Sequence, residues 1–360
     1  MDNKIRVLII DDSAVIRKIL SNSLNKFNDI EIVGTAPDPF IARDKILSLK
    51  PDVLTLDIEM PRMDGLTFLK KIMTYHPTPT IMVSSLSHDG CDVTLKALEI
   101  GAVDYVAKPT NRHSSDVKNV IGELHSKIRI ASRIKMGRNG NGKTGKVPHR
   151  PITSRIKQPE TTQQNYTLFK GTHKVIVIGA STGGTEALKE VLVKMPAESP
   201  GIVIVQHMPE IFTKAFAQRL DSLCAITVTE GRNGDSLTPG KAIIAPGNYH
   251  MKLRRNGAMY HIETTQEERV HHQRPAADVL FESAAKYAGI NSVGVILTGM
   301  GADGASGLLK MKQAGAKTIA QDEESCVVFG MPKEAIKIGA VDKTVTLQKI
   351  PESIFAFLRT

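Results

Sequence analysis

The sequence predicts an α/β protein of two domains, each built on a mainly parallel, doubly wound sheet, and three observations carry that prediction. The 360 residues exceed one ordinary core and suit two domains of about 100 to 200 residues each. In both halves, short β-branched apolar runs alternate with stretches of helical spacing, the pattern of strands laid parallel by crossover helices. Between the halves, residues 136–165 read "MGRNGNGKTGKVPHRPITSRIKQPETTQQN", where Gly, Pro, Asn, Thr and basic residues show no sustained apolar periodicity. Such a composition is that of a linker. The expected organisation is a first domain over residues 1–125, a basic linker over 126–172 and a second domain over 173–360.

Composition narrows the function classes. Hydrophobic residues make up 41% and charged residues 23% of the chain, ordinary values for a soluble globular protein. No apolar run approaches the ~18 residues that a membrane span needs. The N-terminus, "MDNKIRVLIIDDS", meets two aspartates before a secretory apolar region could form, so a cytoplasmic location is expected. Cys91, Cys224 and Cys326 are odd in number and match no metal or redox spacing, which predicts free thiols. The net charge of +10 is confined: from Lys127 to Lys174 there are twelve Lys or Arg against one acid, Glu160. That stretch has no aromatic interleaving beyond Tyr166 and Phe169, and no helix-turn-helix or zinc pattern accompanies it, so no nucleic-acid partner is expected.

The first domain reads, in order, "IRVLII", "SAVIRKILSNSLNKF", "IEIVGTA", "PFIARDKILSL", "DVLTLD", "GLTFLKKIMTY", "TIMVSS", "CDVTLKALEIG" and "DYVAK". Five strands alternate with helices, and in such a sheet function gathers at the carboxyl ends of the strands. Those ends carry Asp11 and Asp12, then Asp57, then Ser84 and Ser85, then Lys108 before Pro109. Singly, an aspartate at a strand end is a cap or turn former. Jointly, three carboxylates repel one another unless a hard cation lies among them, and Mg²⁺ takes such oxygen ligands while keeping waters. Beside it Asp57 could attack a phosphoryl group, with Lys108 and a serine hydroxyl holding the phosphoryl oxygens.

With "DDS", "LDIEMPRMDG", "VSS" and "KP" in that order, residues 5 to about 125 resemble the receiver domain of response regulators. The resemblance implies a flavodoxin-like five-stranded parallel sheet with Asp57 as phosphoacceptor. Asp11, Asp12, Asp57 and the Glu59 backbone carbonyl would hold Mg²⁺, Ser84 and Lys108 would read the phosphate, and Tyr105 would be the switch aromatic. Ser84 stands where many receivers carry Thr, which keeps the hydroxyl donor.

The second domain shows "KVIVIGA", "GIVIVQH", "AITVTE", "KAIIAPG", "SVGVILTG" and "AKTIAQD" as strands among helical stretches. A hairpin-like pair, "YHMKLRRNG" and "AMYHIETT", adds antiparallel character. Its first strand–turn–helix carries "GASTGG", residues 179–184. A dinucleotide fingerprint would need a third-position glycine where Ser181 stands, and an acid where the next strand ends in Gln206 and His207. The letters also fit the short G-x-S-x-G pattern of a presented nucleophile. His207 is placed to be its general base, and Asp303, in the glycine-rich turn after another apolar strand, to orient the imidazole. Blander roles stand beside these: Ser181 as a helix cap, His207 as a strand terminus, Asp303 as an Asx-turn residue. His250, His261, His271 and His272 compete for the role of base.

"GASTGGTEAL", "QHMP", "FTKAFAQRLD", "APGNYHMKL", "RPAADVLFESAA" and "ILTGMGADGASGLLKMKQAGA" together resemble the catalytic domain of the chemotaxis protein-glutamate methylesterases of the CheB type. The resemblance spans about residues 174–345, and a receiver joined to this domain is that family's whole architecture. It implies hydrolysis of glutamate methyl esters on methyl-accepting chemoreceptors, with release of methanol, and deamidation of certain receptor glutamines. Ser181 would be the nucleophile, His207 the base and Asp303 the orienting acid, with the Met300 N–H in an oxyanion hole and no cofactor at this site. A chemotaxis histidine kinase would be the phosphodonor. Arg274, in the matching "RPAADVLF" stretch, would face substrate or pair with a local acid. The alternative reading is a response regulator whose output module binds a nucleotide at "GASTGG".

Overall fold

The structure, a computed structural model, describes residues 4–84, 88–108, 114–134, 136 and 173–359. Ser85, Pro109 and residues 137–172 of the expected linker lie outside the described residues. The chain divides into two compact units, residues 1–164 and 165–360.

The first unit is one parallel sheet in the order β2-β1-β3-β4-β5, formed by β1 (Ile5–Ile10), β2 (Ile30–Ala36), β3 (Val53–Asp57), β4 (Thr80–Ser84) and β5 (Asp104–Ala107). Val7, Leu8, Ile9 and Ile10 are all buried, because helices cover both faces and each strand must be apolar on both sides. The helices are α1 (Ala14–Leu24), α2 (Pro39–Leu49), α3 (Gly65–Tyr75), α4 (His88–Ile100) and α5 (Ser114–Ala131). Ser13, Asp38 and Asp64 cap α1, α2 and α3 by accepting hydrogen bonds from the first-turn N–H groups.

Helix α5 runs through the boundary expected at residue 125 and continues to Ala131. Ile128 and Ala131 lie in the core with Leu20 and Leu24 of α1, so residues 126–131 belong to the packed helix. The basic residues that suggested a linker there have other work. Lys127 pairs with Glu123 one turn back and with Asp104 on β5, at 2.8 and 3.1 Å.

The second unit carries a seven-stranded sheet in the order β15-β14-β13-β6-β7-β10-β8, parallel throughout. Its strands are β6 (Val175–Ala180), β7 (Gly201–Gln206), β8 (Thr227–Glu230), β10 (Lys241–Ile244), β13 (Ser292–Ile296), β14 (Lys317–Gln321) and β15 (Lys343–Val345). The helices between strands are α6 (Gly184–Leu192), α7 (Glu210–Asp221), α8 (Ala277–Tyr287), α9 (Ala305–Gln313) and α10 (Met331–Lys337), and α11 (Ile350–Leu358) follows the last strand. A separate antiparallel sheet, in the order β11-β12-β9, contains the expected hairpin of β11 (His250–Asn256) and β12 (Met259–Thr265), joined by β9 (Ser236–Leu237). Two strands, β9 and β15, were not expected; at two and three residues they are too short for a periodicity to register.

In the second sheet, β6 lies between β7, its successor in the chain, and β13, which follows much later. The direction of winding reverses there, and such a reversal opens a crevice at the strands' carboxyl ends. In the first sheet the same reversal falls between β1 and β3.

Candidate active site and candidate phosphoacceptor site

The crevice of the second unit gathers Ser181 after β6, His207 after β7 and Asp303 in the loop leading from β13 to α9. His207 Nδ1 lies 3.1 Å from Ser181 Oγ, and its Nε2 lies 2.7 Å from Asp303 Oδ2. Burial alone would raise the Asp303 carboxyl, but the hydrogen bond from His207, with N–H donors from Asp278 and Ala277, holds it below its usual range. Those N–H groups open α8 and donate to Asp303 Oδ1 and Oδ2 at 2.9 and 2.7 Å, so a helix N-terminus faces the carboxylate. An ionised Asp303 accepts a hydrogen bond from Nε2–H and so keeps the proton on that nitrogen. Nδ1 is then left with its lone pair directed at the serine hydroxyl, the arrangement a general base needs.

His207 does stand at the end of β7, its N–H bonded to the Ala180 carbonyl at 3.1 Å, but the blander roles do not describe Ser181 or Asp303. Ser181 caps nothing: the cap of α6 is Gly183, at φ 76°. Asp303 spends its oxygens on α8 and His207 rather than on a turn of its own. Among the competing histidines, His250 is buried against the Glu268 carbonyl at 2.8 Å and His271 binds Asp278 at 2.9 Å.

The turn that presents Ser181 is held from three sides. Its N–H donates to the Thr298 carbonyl (3.0 Å), and its carbonyl accepts from Gly184 N–H (2.7 Å) and Gln206 Nε2 (2.9 Å). A Cβ on Gly183 would stand 2.6 Å from Val327 Cβ, and one on Gly184 2.2 Å from Gln206 Oε1. These glycines make room for the protein's own side chains, which is a different task from admitting a phosphate. Gln206, seen in the sequence only as a missing ribose acid, thus holds the backbone of Ser181 in place. Met300 follows Gly299, where a Cβ would come within 2.8 Å of Ser181 Cβ, and the Gly299 carbonyl accepts from Gly330 and Met331 N–H at 3.1 and 2.8 Å. The Met300 peptide is thereby fixed beside the serine. Among the described residues Arg274 pairs with no acid: it donates to the carbonyls of Gln266 and Glu267 and to Asn248 Oδ1.

At the carboxyl edge of the first sheet, Asp11 and Asp57 are buried and Asp12 is exposed, and one ligand oxygen from each lies within 4.8 Å of the others. Lys108 Nζ reaches Asp57 Oδ2 at 2.6 Å and Asp11 Oδ2 at 3.0 Å. Burial pushes the Asp57 carboxyl up to about 6, and Lys108 offsets only part of that rise, to which Asp11 adds repulsion. Asp11 is raised by burial too. One ammonium for three carboxylates leaves this cluster short of positive charge. The donor set, all oxygen and partly buried, fits a hard divalent cation. Glu59 stays next to the site through its N–H, 3.3 Å from Asp57 Oδ1. Ser84 is buried at the end of β4, where its carbonyl accepts from Lys108 N–H at 2.7 Å. Tyr105 is buried, with the Lys127 ammonium 5.2 Å from its ring and 2.6 Å from its carbonyl.

Comparison with known proteins bears on both sites. Residues 176–354 match the family model of the CheB methylesterase, and residues 7–116 match that of the response regulator receiver domain. The protein-glutamate methylesterase/protein-glutamine glutaminase 2 of Syntrophus aciditrophicus is 59% identical over 98% of both chains. The corresponding protein 1 of Geobacter metallireducens is 51% identical over 99% of this chain and 96% of its own. The crystal structure of the Thermotoga maritima CheB methylesterase catalytic domain superposes with a TM-score of 0.50 at 41% identity, covering 51% of this chain and 97% of that one. These likenesses favour an esterase over the nucleotide-binding output module. The chain belongs to the family of protein-glutamate methylesterase/protein-glutamine glutaminases, in which a receiver domain precedes a CheB methylesterase domain.

Proposed function

We propose that this chain hydrolyses glutamate methyl esters on methyl-accepting chemoreceptors, and deamidates particular receptor glutamines, through Ser181, His207 and Asp303. The single observation that carries this reading is the chain of hydrogen bonds from Ser181 Oγ through the imidazole to a carboxylate that His207 and the N–H groups of α8 hold below its usual range. In the forward step Ser181 Oγ attacks the ester carbonyl while its proton passes to His207 Nδ1. The tetrahedral oxyanion develops beside the Met300 N–H. Its collapse breaks the bond to the methoxy group, which takes the proton from His207 and leaves as methanol. Water, deprotonated by the same imidazole, then attacks the acyl-serine, releasing a glutamate carboxylate and restoring Ser181. A glutamine side chain follows the same route with ammonia as leaving group.

The first unit would regulate this chemistry, with Asp57 accepting a phosphoryl group from a histidine kinase. Asp11, Asp12, Asp57 and the Glu59 carbonyl would hold Mg²⁺, which would offset the charge of the carboxylates and of the incoming phosphoryl. Lys108 and Ser84 would then hold phosphoryl oxygens, and Tyr105 would report the change in charge. Phosphorylation would favour a state of the chain in which Ser181 is more accessible to receptor.

The test is methanol release from methylated receptor membranes by the full-length chain and Ser181→Ala, each with and without Mg²⁺ and a small acyl phosphate. Release should require Ser181 and rise with the phosphodonor. Release that persists in Ser181→Ala would overturn the assignment.

A further inference from the structure

Behind Asp303 lies a second His–Asp pair that the proposed chemistry leaves unused. Asp278, the second residue of α8, is 5% exposed. Its Oδ1 accepts from Gly307 N–H in the first turn of α9 at 2.6 Å, and its Oδ2 accepts from His271 Nε2 at 2.9 Å. The Asp278 N–H meanwhile donates to Asp303 Oδ1 at 2.9 Å. One residue therefore binds the acid through its backbone and binds the helix that follows the acid through its side chain. The two helices touch closely here: a Cβ on Gly307 would stand 2.7 Å from Phe281 Cβ and 2.8 Å from the Asp278 carbonyl. All four oxygens of Asp278 and Asp303 accept hydrogen bonds from the protein, and His271, within 4.8 Å of both carboxylates, completes that hydrogen-bonded brace.

The segment that delivers His271 is strained. Val270 and Gln273 exchange both backbone hydrogen bonds, at 3.1 and 2.8 Å, around a two-residue turn. Both of its central residues, His271 and His272, stand at positive φ, 52° and 62°. A turn of this kind favours Asn-Gly, and two imidazole side chains are poor occupants. Strain retained in a surface turn calls for a compensating interaction. The bond from a side chain that is 47% exposed to a nearly buried carboxylate is that interaction.

We infer that His271 is a positioning residue of the esterase site, which by its hydrogen bond to Asp278 holds the first turns of α8 and α9 in register and so fixes Asp303 against the His207 imidazole. This rests on the reading of Ser181, His207 and Asp303 as the reacting groups. A loosened Asp303 would misalign the imidazole without touching the substrate surface, so the loss should fall on kcat and leave KM in place.

Methanol release by the full-length chain tests it with four variants. His271→Ala should lower kcat about tenfold while KM stays within about twofold. His271→Gln, whose amide nitrogen can occupy the place of Nε2, should recover kcat to within about twofold of the parent. The double variant His271→Gly with His272→Gly gives the turn residues that favour positive φ and no side chain that can reach Asp278, so it should melt near the parent's temperature and still show the loss of His271→Ala. A double variant that keeps the parent's kcat overturns the inference, since that variant removes the imidazole without weakening the fold. Ser181→Ala separates the two levels. Activity that survives without Ser181 overturns the catalytic reading and this inference with it, whereas activity lost there and intact in the turn variant overturns the role of His271 alone.

Discussion

Asp303 receives three hydrogen bonds, from His207 Nε2 and from the N–H groups of Ala277 and Asp278, and each favours its charged form. Replacing it by Asn would keep the shape but present an amide that can donate to Nε2, turning the imidazole lone pair away from Ser181. Asp303→Asn should therefore lower kcat by about three to four orders of magnitude with little change in KM, measured by methanol release at saturating receptor. In the first unit the sign is reversed. Burial raises the Asp57 carboxyl from an ordinary 3.8 to about 6, so the folded receiver binds that proton more tightly than the unfolded chain does. Stability conferred by the neutral form is complete below the unfolded value, declines as pH rises towards about 6 and is lost above it. Asp57→Asn should then stabilise the receiver transition in calorimetry by about 1–3 kcal/mol at neutral pH without divalent cations, and by nothing below about pH 3.5. At this scale the juxtaposition of Ser181, His207 and Asp303 was legible, because each follows an apolar strand, where a parallel sheet brings chain-distant residues together. Asp278 and His271 were not. An acid at the start of an amphipathic stretch reads as surface, and a bond between a loop and a helix leaves no periodic trace.

The elements around Ser181 meet at glycines, and the fit is tight enough to predict what a single methyl would do. On Gly184 the added Cβ would stand 2.2 Å from Gln206 Oε1 and 2.8 Å from Ala180 Cβ. The start of α6 would have to lift away from β6 and β7, and Gln206 would lose its hold on the Ser181 carbonyl. Gly184→Ala should cost about 1–3 kcal/mol of stability in the second unit, as overpacking does, and should lower kcat more than the change in melting temperature alone would suggest. Calorimetry and methanol release on the same sample check both halves of that statement. Element order was largely readable, since helical spacing and β-branched runs alternate cleanly on either side of the linker. Strand β15 escaped because "KTV" is three residues at the sheet's edge, and the end of α5 escaped because Lys127, Arg129 and Arg133 resemble linker charge. Lys127 in fact satisfies Asp104, Glu123 and the Tyr105 carbonyl, and Ile128 and Ala131 keep the helix in the core.

Each unit of the molecule has its own parallel sheet and its own buried core, so each has the means to fold alone. That division would make the proposed regulation separable from catalysis. Residues 173–360 alone should turn over the ester and ignore a phosphodonor, consistent with the Thermotoga maritima catalytic domain forming a structure by itself. In the full-length chain, Asp57→Asn should keep the unstimulated rate and lose the response to Mg²⁺ and acyl phosphate. The reasoning is thermodynamic: a phosphoryl group can shift the chain towards an active state only by as much as it favours that state over the resting one. A tenfold stimulation would mean a coupling of about 1.4 kcal/mol, on the scale of one or two charge-assisted hydrogen bonds gained by Lys108 and Ser84. Methanol release by Asp57→Asn and by the parent, each with and without the donor, measures that coupling directly. Equal stimulation of both would place the regulatory charge elsewhere than Asp57, whereas stimulation confined to the parent would tie the acidic cluster of the first sheet to the serine of the second.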